Sequence, residues 1–514
     1  MLTLPVAAHP DPRPSRARQW WTDPYLYLAA LVLVLLLPVA LELLISADIG
    51  IHMATIERLH HDFTNPGNPM VAADTPSTYY SPWTCFLALL TLAFGWSTQT
   101  VLTLGAVIAL PTLLIGVYRF SRVLSQARWA PTLGLLCFTL LWGTTTWGVG
   151  AGGWSGFLAW GSWATSLSYP STIAWGLGLN LVAWLPGLLR KGCPLPQTVV
   201  LALGTGVLAL VHQFTAAFIA LAMMAFIASA AGGLDRPAWR RLGLGVAVTA
   251  ALVLFWPYYH VWSLSDDPAL DRMHLALYRT LWERYGFALL GLPALVLRGV
   301  RDKRDPLVWL FIACTALYIY GGLSHHYSYA RFVPGAMAAL QFALAVELAE
   351  WRITWLSWIL APLTAAALLT TAWTERYVVQ TYTHEAVSAL LHDDTPRYSR
   401  TSGFGWMQRY VPYGGVVMTD STGDTRAPGY GFYVVYCPYP DSFLADADAR
   451  RTATFSYFDP ATDPAQRLGI LKQYHAGWVL ATPTQARVSG LDRDPDLRFV
   501  RQGPDHLRLY RALG

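Results

Sequence analysis

Long apolar runs alternate with short polar, mostly basic connections over the first 370 or so residues, and then the pattern changes. An apolar run of about 20 residues can cross a bilayer as a helix, and Lys and Arg in short connections mark the cytoplasmic side. On that reading the spans are 25–45, 99–118, 130–148, 170–189, 197–212, 215–231, 242–258, 285–299, 306–321, 331–350 and 354–372, about eleven in all. Arg13, Arg16 and Arg18 put the tail 1–24 in the cytoplasm. The first run lacks a small-residue cleavage site before Asp48, so it reads as an uncleaved span. The run 83–96 is about fourteen residues, too short to cross. If it did cross, Arg119, Arg122 and Arg128 would fall outside. It is therefore expected as a juxtamembrane helix within an outer loop, 46–98, of a transmembrane domain 25–373.

From 374 onward charge and turn residues return. The segments 414–422, 431–440 and 476–483 are short β-branched runs bounded by Gly and Pro. The segments 383–394 and 464–475 carry apolar residues at helical spacing. The fold class expected is a polytopic α-helical membrane protein with a small C-terminal extracytoplasmic α/β domain, 374–514.

Composition agrees. Only 13% of residues are charged, against roughly 25% in soluble proteins. The 23 Trp and 26 Tyr suit aromatic belts at bilayer interfaces. A net charge of +5 gives no support to nucleic-acid binding. The five Cys show no CxxC spacing and read as packing residues.

Ionisable side chains at span ends are informative, because charge near a bilayer is costly. They collect on the outer side: Asp48 and His52 after the first span, His212, then His260, Asp266, Asp267 and Asp271, then His325, His326 and Arg331. The densest stretch is SADIGIHMATIERLHHDF, 46–63. Asp48 and His52, four apart, share a helical face. A carboxylate there can act as a general base toward a hydroxyl. On local spacing alone the better reading is an N-cap, since Ser46 and Asp48 are both good caps. Asp48, His52 and another His can also make a site for a divalent metal, the one cofactor the pattern leaves open, although no HExxH pattern is present. Arg331 suits a lipid-linked phosphate, or snorkels at the interface. His60, His61 and Asp62 read as surface, TDSTGDT (419–425) as a turn, and GAGGWSG (150–156) as an outer loop without a nucleotide fingerprint.

Several stretches together resemble the GT-C superfamily of polytopic glycosyltransferases. They are ADIGIHMATIERL, YYSPWTCFLALLTLAFGWS (79–97), GGWSGFLAWGSWATSLSYPSTIAWGLGLNL (152–181), LVHQFTAAF (210–218) and YARFVPGAMAALQFAL (329–344), covering most of 25–372 in order. LGILKQYHAGWVLATP resembles the closing strand of the extramembrane domain in such proteins. The resemblance implies transfer of a sugar from a polyprenyl-phosphate donor to an acceptor glycan, lipid or peptide on the outer face, usually with inversion. It makes Asp48 the catalytic base and Arg331 the contact to the donor phosphate; His52, His212, His325 and His326 stand beside them as substrate-binding candidates that the resemblance does not assign. Mannose, the commonest sugar on such donors, is the expected one. Relatives often pair two carboxylates, and here Glu57, Asp62, Asp266 and Asp267 compete for the second place. The alternative is a transporter or flippase for a lipid-linked substrate. That would predict ionisable groups deep in the spans and related halves, and neither is evident. A scaffold serving only the outer domain would leave the span-end His and Asp unexplained.

Overall fold

The computed structural model describes residues 22–41, 48–144, 154–260, 268–352, 354–376, 380, 403–420 and 425–513. In chain order the helices are α1 (Pro24–Leu41), α2 (Ile49–His61), α3 (Pro82–Phe94), α4 (Thr98–Leu124), α5 (Ala130–Leu140), α6 (Trp160–Thr165), α7 (Pro170–Arg190) and α8 (Leu195–Val211). They continue as α9 (Gln213–Ala230), α10 (Arg236–Leu254), α11 (Pro268–His274), α12 (Leu281–Tyr285), α13 (Leu292–Arg301), α14 (Pro306–Ser324), α15 (Val333–Glu350) and α16 (Thr354–Thr374). Among the described residues eight helices are long and apolar enough to cross a membrane: α1, α4, α7, α9, α10, α14, α15 and α16. The chain is a polytopic helical membrane protein with a small C-terminal sheet.

Three of the eleven expected spans, 130–148, 197–212 and 285–299, are not among these eight. Helix α5 has 11 residues and α8 has 17. The expected span 285–299 is divided into a 3-10 turn, Gly286–Gly291, and the ten-residue α13, which starts afresh with Pro293 in its first turn. Proline lacks the N–H that would continue a preceding helix but fits a new helix start. Helix α3, expected not to cross, has 13 residues. Its limits follow from its sequence: Ser81 and Thr84 form a capping box, and Gly95 closes it in the left-handed region at φ 67°. Expectations for Ser46, Asp266, Asp267, 145–148, 383–394 and most of 421–425 fall on residues outside the described set.

The chain divides into two compact units. One comprises Met1–Pro38, Ile108–Val253 and Asp271–His384; the other Val39–Val107, Leu254–Leu270 and Glu385–Gly514. The first is the helical unit, and its central element is α15, 89% of whose span is buried. The sequence explains this: VPGAMAALQFALAVELAE is rich in small residues, which let neighbouring helices approach closely. The polar Gln341 within it donates to the Leu141 carbonyl at 2.8 Å.

The second unit is built on a five-stranded sheet, β1 (Val416–Met418), β2 (Tyr433–Val434), β3 (Ala476–Ala481), β4 (Leu497–Gln502) and β5 (Arg508–Ala512), ordered β2-β1-β3-β5-β4. The pairs β1–β2 and β1–β3 are parallel, while β3–β5 and β4–β5 are antiparallel. Strand β3 is thus central and two strands follow it, so the stretch read as a closing strand is not one. Alternation assigns side chains to two faces. Val416, Met418, Val479 and Tyr510 pack with Tyr457 and Leu471 from the helices Ala447–Phe458 and Pro464–Gln473. Val417, Leu480 and Leu509 point the other way and pack with Ile51 and Ala54 of α2 and with Met70 and Val71.

One face of the C-terminal sheet is therefore covered by the loop after α1. Val71 adds a parallel bridge to Val434, and Asn68 donates to Asp441 at 2.8 Å. The buried Arg58 donates to the carbonyls of Gly431 and Phe432 and lies 3.6 Å from the centre of the Tyr433 ring. Helix α2 also passes so close to the 425–426 backbone that a Cβ on Gly50 would stand 1.9 Å from the Thr425 carbonyl oxygen. Main chain cannot yield as a flexible side chain does. Gly50→Ala is expected to destabilise this unit by about 3 kcal/mol or more, read as a lowered unfolding temperature of the purified protein. An unchanged temperature would show that α2 and the 425–426 segment are not in contact.

Candidate active site

Within the second unit Asp48 occupies the N-cap position of α2. Its carbonyl accepts from Ile51 N at 2.9 Å and His52 N at 3.1 Å, but its carboxylate makes no capping hydrogen bond. The backbone at Asp48 is already helical, φ −77° and ψ −6°, whereas a side-chain cap normally needs an extended backbone. His52, one turn on, is 6% exposed. Burial pushes its imidazole down to about 3, so it is neutral across the physiological range. Tyr79 meets both residues. Its ring lies edge-on to His52 at 5.1 Å, and its phenol is raised well above the usual value by burial, by the nearby Tyr439 and by the Asp48 charge.

The competing acids in this unit are engaged locally. Glu57 accepts from the Thr98 hydroxyl at 2.8 Å. Asp62 accepts from Asn65 N and from Thr64 N and Oγ1, and these bonds hold its carboxyl below the usual range. His61 stacks on Tyr413 at 4.0 Å. Asp420, in the stretch read as a turn, accepts from Gln485.

Within the helical unit Arg331 is 6% exposed and its fork is fixed from two sides. Nε donates to His274 Nε2 at 2.7 Å and a terminal nitrogen donates to the Ser155 carbonyl at 2.6 Å. The rings of Trp154 and Phe214 each lie 4.8 Å from the guanidinium carbon. Accepting from Arg331 makes His274 a neutral imidazole unprotonated at Nε2. His212 caps α9, its Nδ1 accepting from Thr215 N at 3.2 Å. A Cβ on Gly156 would meet the His212 ring at 3.3 Å, so His212 borders the strand of chain that braces Arg331. His325 and His326 lie on an exposed turn. His325 pairs with the Tyr327 hydroxyl at 2.8 Å, and His326 approaches Asp271 at 3.5 Å.

The structure thus joins Arg331 and His212 to one segment, 154–156, and leaves His325 and His326 on local partners. Asp48 and His52 belong to the other unit. Sequence reasoning missed His274, Trp154, Ser155 and Phe214, all brought to Arg331 from distant positions. Among the described residues no three His, Cys, Asp or Glu side chains converge as metal ligands.

No family model and no curated protein matches the sequence. Solved structures do match in fold. ArnT from Cupriavidus metallidurans, in a structure bound to undecaprenyl phosphate, aligns with TM-score 0.51 and 13% identity over 96% of this chain and 98% of that one. The Archaeoglobus fulgidus oligosaccharyltransferase in its apo form aligns with TM-score 0.50 and 12% identity, over 90% of this chain and 70% of that one. Arabinofuranosyltransferase AftD from mycobacteria gives TM-score 0.53 and 13% identity over 95% of this chain, which spans 40% of AftD. All three are GT-C proteins, and at such identities the likeness is one of architecture. The chain has the GT-C fold.

Proposed function

We propose that this protein transfers a sugar from a polyprenyl-phosphate donor to an acceptor hydroxyl on the extracytoplasmic face, with inversion. Asp48 takes the proton of the acceptor hydroxyl as its oxygen attacks the anomeric carbon. The bond from that carbon to the phosphate oxygen breaks, and polyprenyl phosphate leaves with the bond's electron pair. Arg331 pairs with the phosphate, where a guanidinium fork matches the oxygens and offsets the growing charge. The observation that carries the reading is the state of Asp48 in a GT-C fold: it opens the first helix after α1 with a carboxylate not used to cap it.

His52, buried and neutral, serves as the orienting neighbour of Asp48. His212 borders the Arg331 cluster as a donor contact. His325 and His326 are assigned to the donor's polar part, and losing either from its exposed turn is expected to cost less than losing Arg331. Mannose is the sugar to try first. The ArnT structure holds undecaprenyl phosphate, which supports a polyprenyl carrier here.

Purified protein supplied with polyprenyl-phospho-mannose and, in parallel, the glucose and arabinose analogues tests the reading. Transfer to an added glycan, lipid or peptide acceptor is expected, the product anomer being opposite to that of the donor. Donor binding followed only by movement between leaflets would favour the flippase alternative and overturn the enzyme. Cysteine labelling of the C-terminal domain in intact cells checks its side of the membrane.

A further inference from the structure

Glu375 directly follows α16 and is 2% exposed. Its Oε2 accepts from Gly161 N at 2.6 Å, while Oε1 is buried with no hydrogen-bond partner among the described residues. An incompletely satisfied buried carboxylate is costly and calls for an explanation. Gly161 lies in the first turn of α6, at one end of a segment whose other end is Trp154 and Ser155. Residues 154–159 have no regular secondary structure, so anchors set their position. Trp175 Nε1 donates to the Gly156 carbonyl at 2.8 Å, Phe157 N bonds back to Trp154 O at 3.1 Å, and Glu375 holds Gly161. The other end of this strap supplies the Ser155 carbonyl and the Trp154 ring to Arg331.

We propose that Glu375 is a positioning residue for donor binding: it anchors the 154–161 strap and, through Ser155 and Trp154, holds the Arg331 guanidinium in its phosphate-accepting pose. The inference rests on the donor reading of Arg331 above. Burial pushes the Glu375 carboxyl up to about 7, opposed by the Gly161 N–H, and no charged side chain among the described residues contributes. The anchor therefore changes charge near neutral pH. Ionised, it is a strong acceptor for Gly161; protonated, a weaker one.

The test uses the full-length protein in detergent and a polyprenyl-phospho-sugar, a phosphodiester that does not itself titrate between pH 6 and 8. Wild-type donor affinity is expected to fall about fivefold from pH 8 to pH 6, the difference between charged and neutral hydrogen bonds. Glu375→Gln, nearly isosteric, keeps an acceptor oxygen but not the charge. It should stay near the low-pH affinity throughout. Glu375→Ala should weaken the donor about tenfold in KM at pH 8 and leave kcat at saturating donor within about twofold. A merely structural carboxylate would give neither the pH difference nor the split. A Gln variant with the wild-type pH profile, or a folded Ala variant with unchanged donor KM, overturns the role of Glu375 alone. Wild-type protein that binds no polyprenyl-phospho-sugar overturns the donor reading and this inference with it.

Discussion

Asp48→Asn is expected to lower the turnover of sugar transfer by about 10²–10⁴-fold, the usual contribution of a general base, while donor affinity stays within about twofold. The substitution isolates the chemistry. Asparagine is the nearest isostere and a good N-cap, and the bonds from Ile51 and His52 go to the Asp48 backbone carbonyl, which is retained. Helix α2 therefore keeps its start and its packing on the sheet. The amide oxygen accepts a hydrogen bond but cannot take up a proton at neutral pH. His52 cannot substitute: its imidazole, held near 3 by burial, is already neutral and enclosed. The acid limb of the wild-type pH–rate profile should accordingly belong to a carboxylate. Initial rates at saturating donor, compared at equal melting temperature, decide the matter. A folded Asp48→Asn protein with normal turnover would leave Asp48 as a helix-terminal residue and no more.

What could be read from the sequence was mostly local. The ends of α3 follow from Ser81, Pro82 and Gly95. The long apolar runs of α14 and α15 and the β-branched cores of β1 and β3 stand where the pattern put them. Hidden features depended on distant partners. Strand β4, LRFVRQ, is an edge strand whose exposed arginines interrupt an apolar alternation. Helix α2 covers the face of a sheet whose strands begin more than 350 residues later, and period-2 alternation says that a face is buried without saying by what. The cap-or-base ambiguity at Asp48 could not be resolved by spacing, because a residue at the N-cap position can cap through its side chain or merely stand there. Nothing in the sequence singles out His274, whose ring nitrogen meets Arg331 from 57 positions away. Glu375 read as the start of a solvated domain, though its carboxylate is enclosed.

The second large effect is expected at Arg331. Its replacement by Ala should weaken binding of polyprenyl-phospho-sugar by about a hundredfold, near 3 kcal/mol, as for truncation of a buried charge that pairs with an anion. Turnover at saturating donor should fall less than affinity does. Part of the loss is structural: His274 Nε2 and the Ser155 carbonyl would each lose a buried donor, so the melting temperature must be followed alongside. Arg331→Lys separates the two contributions. It restores a positive charge beside the Trp154 and Phe214 rings but not the planar fork that meets His274 and Ser155 and that the proposed reading offers to phosphate oxygens. Lysine should recover only about a tenth of the lost affinity if the fork is what matters, and most of it if charge alone suffices. His274→Ala gives the complementary comparison, leaving the guanidinium in place but unsupported at Nε. An increase of about fivefold in donor KM is expected there. Should Arg331→Ala bind the donor as tightly as wild type, the guanidinium is a packing element between two aromatic rings, and the phosphate must be held by other groups.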